Sequence, residues 1–136
     1  MFKSHTSKIM KPTLTLCALI VACFLISATF QITENCSALH EGTFKYGNLT
    51  TEIIVKIKGK QHVEYHEGGK YKIESDIEWI NECEYNMTMK NVTIPNFPYG
   101  PGDIMHVRIE KVVGSDIYYI STVKGNSWKG KFIKIQ

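Results

Sequence analysis

The chain lacks a charge excess where one would matter. Its 136 residues carry 16 basic and 13 acidic side chains, a formal net charge of +3. Lys3, Lys8, Lys11 and Glu34 precede Cys36, and from there onward 13 basic residues face 12 acidic ones. A nucleic-acid partner calls for a clustered basic surplus, and none exists here. The short run Lys56, Lys58, Lys60 fits the solvated face of a strand. Catalytic signatures are missing too: the chain has no Gly-x-Ser-x-Gly, no phosphate-cradling glycine loop and no Cys-x-x-Cys. Beyond residue 33 no run shows the spacing of an amphipathic helix. Together these absences argue against an enzyme, and no cofactor or metal is expected.

Cysteine is sparse. Of four, two lie in an apolar N-terminal run, leaving Cys36 and Cys83. That run, Leu14 to Phe30, follows three lysines, the order that targets a chain to a membrane. Its length falls between a signal-peptide core of roughly 7–15 residues and a span of about 20. Residues 1–33 are therefore expected to be a signal peptide or a membrane anchor. Three outcomes stay open: cleavage near Ala28, lipidation at Cys23 within Ile20-Val21-Ala22-Cys23, or retention as an anchor. Any membrane contact is assigned to this segment alone. Export permits disulfides, and Cys36 with Cys83 is the single pairing open to residues 36–136. Closing that loop is worth about 4 kcal/mol in the chain-entropy model, a useful staple for one domain of this size.

What is abundant is alternation. Tyr71, Ile73, Ile77 and Trp79 alternate with Lys72, Glu74, Asp76 and Glu78, with Ser75 in phase, a period of two that no helix produces. Cys83, Tyr85, Met87 and Met89 continue the pattern. Ile53, Val55 and Ile57 form another run, Val63 and Tyr65 another, and Met105, Val107 and Ile109 another. Phe44 and Tyr46 begin the series, and Ile117, Tyr119, Val123, Trp128 and Phe132 end it. Turn signals separate the runs at Gly47-Asn48, Gly59-Lys60, Glu67-Gly68-Gly69, Ile80-Asn81, Gly114-Ser115 and Gly125-Asn126. Short links favour antiparallel neighbours. The expectation is all-β: about eight antiparallel strands over 36–136, up-and-down, as a small barrel or a flattened sandwich, with odd-numbered residues from Tyr71 to Met89 inward.

One long connection, Lys90 to Asp103, holds Pro95, Pro98 and Pro101 with Phe97 and Tyr99, rings placed to cover one end of a barrel. On the third strand, His62, Glu64 and His66 fall in phase opposite Val63 and Tyr65, which makes them an exposed face. The two histidines would then stand about 13 Å apart, too far for one zinc without His40 or His106. The carboxylates of Glu74, Asp76, Glu78, Glu82 and Glu84 also alternate outward, where nothing raises a pKa for acid–base work.

The pattern Cys36-x-x-Leu39-His40-x-Gly42-x-Phe44-x-Tyr46, followed by Ile77-x-Trp79-x-x-x-Cys83-x-Tyr85, resembles a set of uncharacterised small exported proteins of bacteroidete bacteria. The resemblance runs from Cys36 to the C-terminus. It implies a β-rich exported domain, in the periplasm, in the cell envelope or secreted, and no particular activity. Members tend to carry Arg in the second strand and Gln-x-Glu in the third. This chain has Lys56 or Lys58 and His62-Val63-Glu64 instead. Asn48, Asn86 and Asn91 head glycosylation sequons, as Asn35 does formally; in a eukaryotic secretory route they would mark surface loops and strand ends, and in a bacterium they carry no meaning. Two function classes remain. The first is a filled barrel acting through surface contact with a protein partner, as a structural or interaction module of the envelope. The second is a binder, lipocalin-like in architecture, holding a small apolar ligand among Tyr65, Tyr71, Trp79, Tyr85, Met87 and Met105, with Phe97 and Tyr99 over the mouth. A cavity of roughly 300 Å³ or more would separate them.

Overall fold

The computed structural model describes residues 35–47 and 51–136. The apolar leader, with Cys23 and Ala28, and the sequon at Asn48 lie outside the described residues. A single-turn 3-10 helix over Cys36–Leu39 precedes eight strands: β1 (Gly42–Tyr46), β2 (Ile53–Lys58), β3 (Gln61–His66), β4 (Tyr71–Asn81), β5 (Glu84–Val92), β6 (Ile104–Val113), β7 (Asp116–Val123) and β8 (Asn126–Lys134). Each pairs antiparallel with its sequence neighbour, and β1 pairs with β8, so the sheet closes into an up-and-down barrel rather than a sandwich. The closing seam is short, with Phe44 opposite Lys134 and Lys45 opposite Ile133. Thr43 extends it, its N–H donating to the Gln136 carbonyl and its carbonyl accepting from Ile135.

Alternation sets which side chains enter. Ile73, Ser75, Ile77, Tyr85, Met87 and Met89 are all buried, with exposures of 4 % or less. Register shifts between Glu74 and Ser75, between Trp79 and Asn81, and between Ile109 and Lys111 bend the longer strands, as tight closure requires. Lys56, Lys58, Asp76, Glu78, Arg108 and Glu110 point outward and exposed, so the outer wall is charged where a lipid-facing barrel carries an apolar band. No helix among the described residues is long and apolar enough to cross a membrane.

The two ends of the barrel differ. One carries the short turns β2–β3, β4–β5 and β6–β7, and the 3-10 helix crosses it. Leu39 and Cys36 are fully buried there, and Cys36 is disulfide-bonded to Cys83 beside the β4–β5 turn. Lys134 Nζ donates to the carbonyls of Ala38 and Glu41, fixing the helix to β8. Phe44, Val55, Ile57, Val107, Ile109 and Ile117 fill the interior behind this cap, each worth roughly 1.5–3 kcal/mol of burial. The other end carries the long 93–103 connection. Asp103 orders it: its carboxylate accepts from the Gly100 N–H and pairs with Lys124, and its carbonyl accepts from Met89 N–H.

The structure corrects one expectation. His62 is 1 % exposed and Glu64 8 %, both inside the barrel, while Val63 and Tyr65 face out. The reason is register. The β2–β3 hairpin turns on two residues, Gly59 and Lys60, so Ile57 stands opposite His62 and Val55 opposite Glu64. Val55 and Ile57 are core residues, and directly opposed residues share a face. The hydrophobic pattern of Val63 and Tyr65 yielded to that constraint.

Candidate binding cavity

Toward the long-loop end the interior is not filled. A cavity of about 190 Å³ lies among β1, β3, β4, β5, β6, β7 and β8, its wall combining aromatic rings, three methionines and a polar cluster. Space for it comes partly from Gly130. This residue sits opposite Tyr119, and a Cβ there would meet the Tyr119 ring at 2.3 Å. The bare backbone lets that ring lie flat against Phe132, with centroids 4.4 Å apart.

The polar cluster centres on Glu64. Tyr46 Oη donates to its Oε2 at 2.6 Å, and His66 Nε2 lies 3.1 Å from the same oxygen. Oε1 has His62 Nε2 at 3.9 Å, beyond hydrogen-bond range. Burial opposes the charge on Glu64, yet the bonds from His66 and Tyr46 and the nearness of His62 outweigh it and hold the carboxyl below its ordinary range. His62 moves down, because burial disfavours its charged form more than Glu64 favours it. Burial also raises the phenols of Tyr46, Tyr85 and Tyr119, with Glu64 adding to each. The cavity thus holds an ionised carboxylate, a neutral imidazole at His62 and neutral phenols.

Three residues of the wall carry a side-chain polar atom with no partner among the described residues. His62 Nδ1, Tyr85 Oη and Ser121 Oγ are buried and unpaired, and all three residues line this cavity. Their exposures are 1 %, 0 % and 1 %. Leaving such a group unsatisfied in a dry core costs about 1–3 kcal/mol each.

The residues singled out from sequence divide by place. Tyr85, Met87, Met105 and Phe97 line the cavity. Tyr99 stands behind, edge-on to Phe97 and stacked on Trp128, at centroid distances of 5.9 and 6.5 Å. Trp79 sits toward the capped end, its ring 3.8 Å from His40 and 4.7 Å from Tyr85. Tyr65 lies on the outer wall with Lys56 Nζ 5.6 Å from its ring, and Tyr71 faces Lys70 at 4.8 Å near the β3–β4 turn. His40 bonds the Glu82 carbonyl and His106 the Glu84 carboxylate, so neither approaches His62. Among the described residues no group of three or more His, Cys, Asp or Glu side chains is arranged to hold a metal. The residues that sequence reasoning missed are Tyr46, His62, Glu64, His66 and Ser121. The two-residue turn at Gly59-Lys60 was the signal for the three on β3.

Set against known proteins, the chain matches no family model, no curated protein and no solved structure.

Proposed function

We propose that this is an exported binding module that holds one small molecule inside the barrel. One observation carries the reading: three buried residues, each with a side-chain polar atom that has no partner among the described residues, line a single cavity beside a buried carboxylate. A barrel packed only for stability gains nothing from such groups, and apolar residues of similar shape would serve it better. A ligand with matching polar groups supplies the missing partners once the wall shifts to admit it. At about 190 Å³ the cavity falls below the roughly 300 Å³ floor of drug-sized pockets, so the ligand is small and not a bulky lipid. The disulfide agrees with an oxidising compartment, which supports export.

Native mass measurement of the full chain, recovered gently from its own membrane and culture fractions, tests this. The expected spectrum shows one small adduct per chain, lost when Ser121→Phe fills the cavity. A bare wild-type protein that Ser121→Phe merely stabilises would sink the reading. The mass also reports the leader's fate and the disulfide.

A second reading rests on different residues. Ile80, Val113 and Ile135 are 54 %, 60 % and 47 % exposed, and all three stand at the disulfide-bearing end, where the described chain begins. An apolar rim there suits contact with an envelope protein.

A further inference from the structure

We infer that the cavity selects a small organic cation, an amine whose ammonium group pairs with the free oxygen of Glu64 while its apolar part lies among the rings and methionines. The inference rests on the cavity-binding reading above and assigns the charge of the ligand.

Geometry supplies the anion. Glu64 is 8 % exposed. Its Oε2 is engaged by Tyr46 and His66. Among the described residues no hydrogen bond reaches its Oε1, and His62 Nε2 stands 3.9 Å from it. No lysine or arginine lines the cavity among the described residues. The groups facing Glu64 are Tyr46 from β1, His62 and His66 from β3, Tyr85 from β5 and Tyr119 from β7. Of these only the histidines can become positive, and burial keeps His62 neutral. The fold has already desolvated the carboxylate and fixed its position, so a ligand cation gains a charge-assisted hydrogen bond without reorganising the site.

The remainder of the wall fits the same ligand. Tyr46, Tyr85, Tyr119, Phe97, Phe132 and Trp128 line the cavity, and aromatic rings attract cations. Met87 and Met105 stand opposite one another on β5 and β6, and Met89 follows on the same face. Thioethers give an adaptable lining for an alkyl or aryl tail. Tyr85, Ser121 and His62 line the same cavity, and their unpaired atoms partner a second polar group of the ligand once the wall shifts to expose them. An anion would find the carboxylate opposing it, and a neutral alcohol would gain only the weaker bonds.

Equilibrium titration of the full chain, followed by tryptophan fluorescence because Trp128 lines the cavity, tests the assignment. The probes are butylamine, isoamylamine and 2-phenylethylamine as ammonium ions, each with the alcohol and the carboxylate of the same skeleton. At least one ammonium ion is expected to bind about tenfold or more tighter than its alcohol, with no binding of its carboxylate. In Glu64→Gln that preference over the alcohol should shrink to about threefold or less. If Glu64→Gln fails to fold, the wild-type comparison alone decides. Alcohols that bind as well as ammonium ions, or carboxylates that bind better, overturn the cation assignment and leave the cavity reading standing. Binding by none of the nine probes overturns both.

Discussion

Replacing Cys36 and Cys83 together with alanine should remove about 4 kcal/mol of stability. The bond spans a sequence separation of 47 residues, and the chain-entropy relation converts a loop of that length into about 4 kcal/mol. A domain of this size commonly holds only about 5–15 kcal/mol in all, so the loss is a large share. Position amplifies it. Cys36 opens the 3-10 helix whose Leu39 is fully buried in the capped end. Beyond the bond, the helix and the residues just after it are held by Leu39, by the two hydrogen bonds from Lys134 and by His40 on the Glu82 carbonyl. With a urea slope of roughly 1–3 kcal/mol per molar, the unfolding midpoint should fall by roughly 1.3–4 M. Wild-type protein in strong reductant should superimpose on the double variant. Leu39→Ala in the oxidised protein should cost about 2–5 kcal/mol by opening a cavity under the cap. A double variant unfolding within about 1 kcal/mol of wild type would refute the claim that this bond clamps the end of the barrel.

Three further outcomes are expected. Gly130→Ala should destabilise by about 1–3 kcal/mol through collision with the Tyr119 ring. Most of that cost should vanish in a Tyr119→Ala background, and an additive cycle in urea denaturation would contradict the contact. Tyr85→Phe removes an unpaired buried hydroxyl and should leave the ligand-free protein as stable or up to about 1–3 kcal/mol more stable; a clear drop in melting temperature would show the hydroxyl to be satisfied. Acid should weaken the fold in two stages. His62 titrates below its ordinary 6.5 when folded, so stability is full above that value and declines as pH falls beneath it. Glu64 is held below its ordinary 4.5, so its contribution is present above 4.5 and fades as pH drops through its lowered folded value. Urea midpoints across pH 7.5 to 3.5 measure both, with His62→Leu expected to flatten the upper stage; a midpoint that stays level down to pH 4 would contradict the burial of His62.

Much of the barrel was legible because period-two alternation depends only on backbone geometry. The strand from Tyr71 announced itself in this way, and the cysteine pair left one partner choice. Where two local signals conflicted, sequence pattern alone chose wrongly. On β3, hydrophobicity pointed Val63 and Tyr65 inward, whereas the two-residue turn fixed His62 and Glu64 opposite Ile57 and Val55. Polar residues inside a barrel break the rule that inward means apolar, and such breaks are where binding chemistry concentrates. The cavity itself was not legible, since it depends on Gly130 making room for one ring and on where the inward side chains fail to meet. Trp79 and Tyr99 carry the large rings that suggest a pocket, yet they stack on His40 and Trp128 and stand outside its wall.

The shortness of the β1–β8 seam has a consequence for assembly. Its partners are the first and last strands among the described residues, so the ring closes only once β8 is in place, and residues 134–136 supply much of the join. Until then β1 offers a bare ribbon edge, a template that pairs as readily with a neighbouring molecule as with its own tail. A copy clipped of those three residues is thus the form most prone to stick to its fellows.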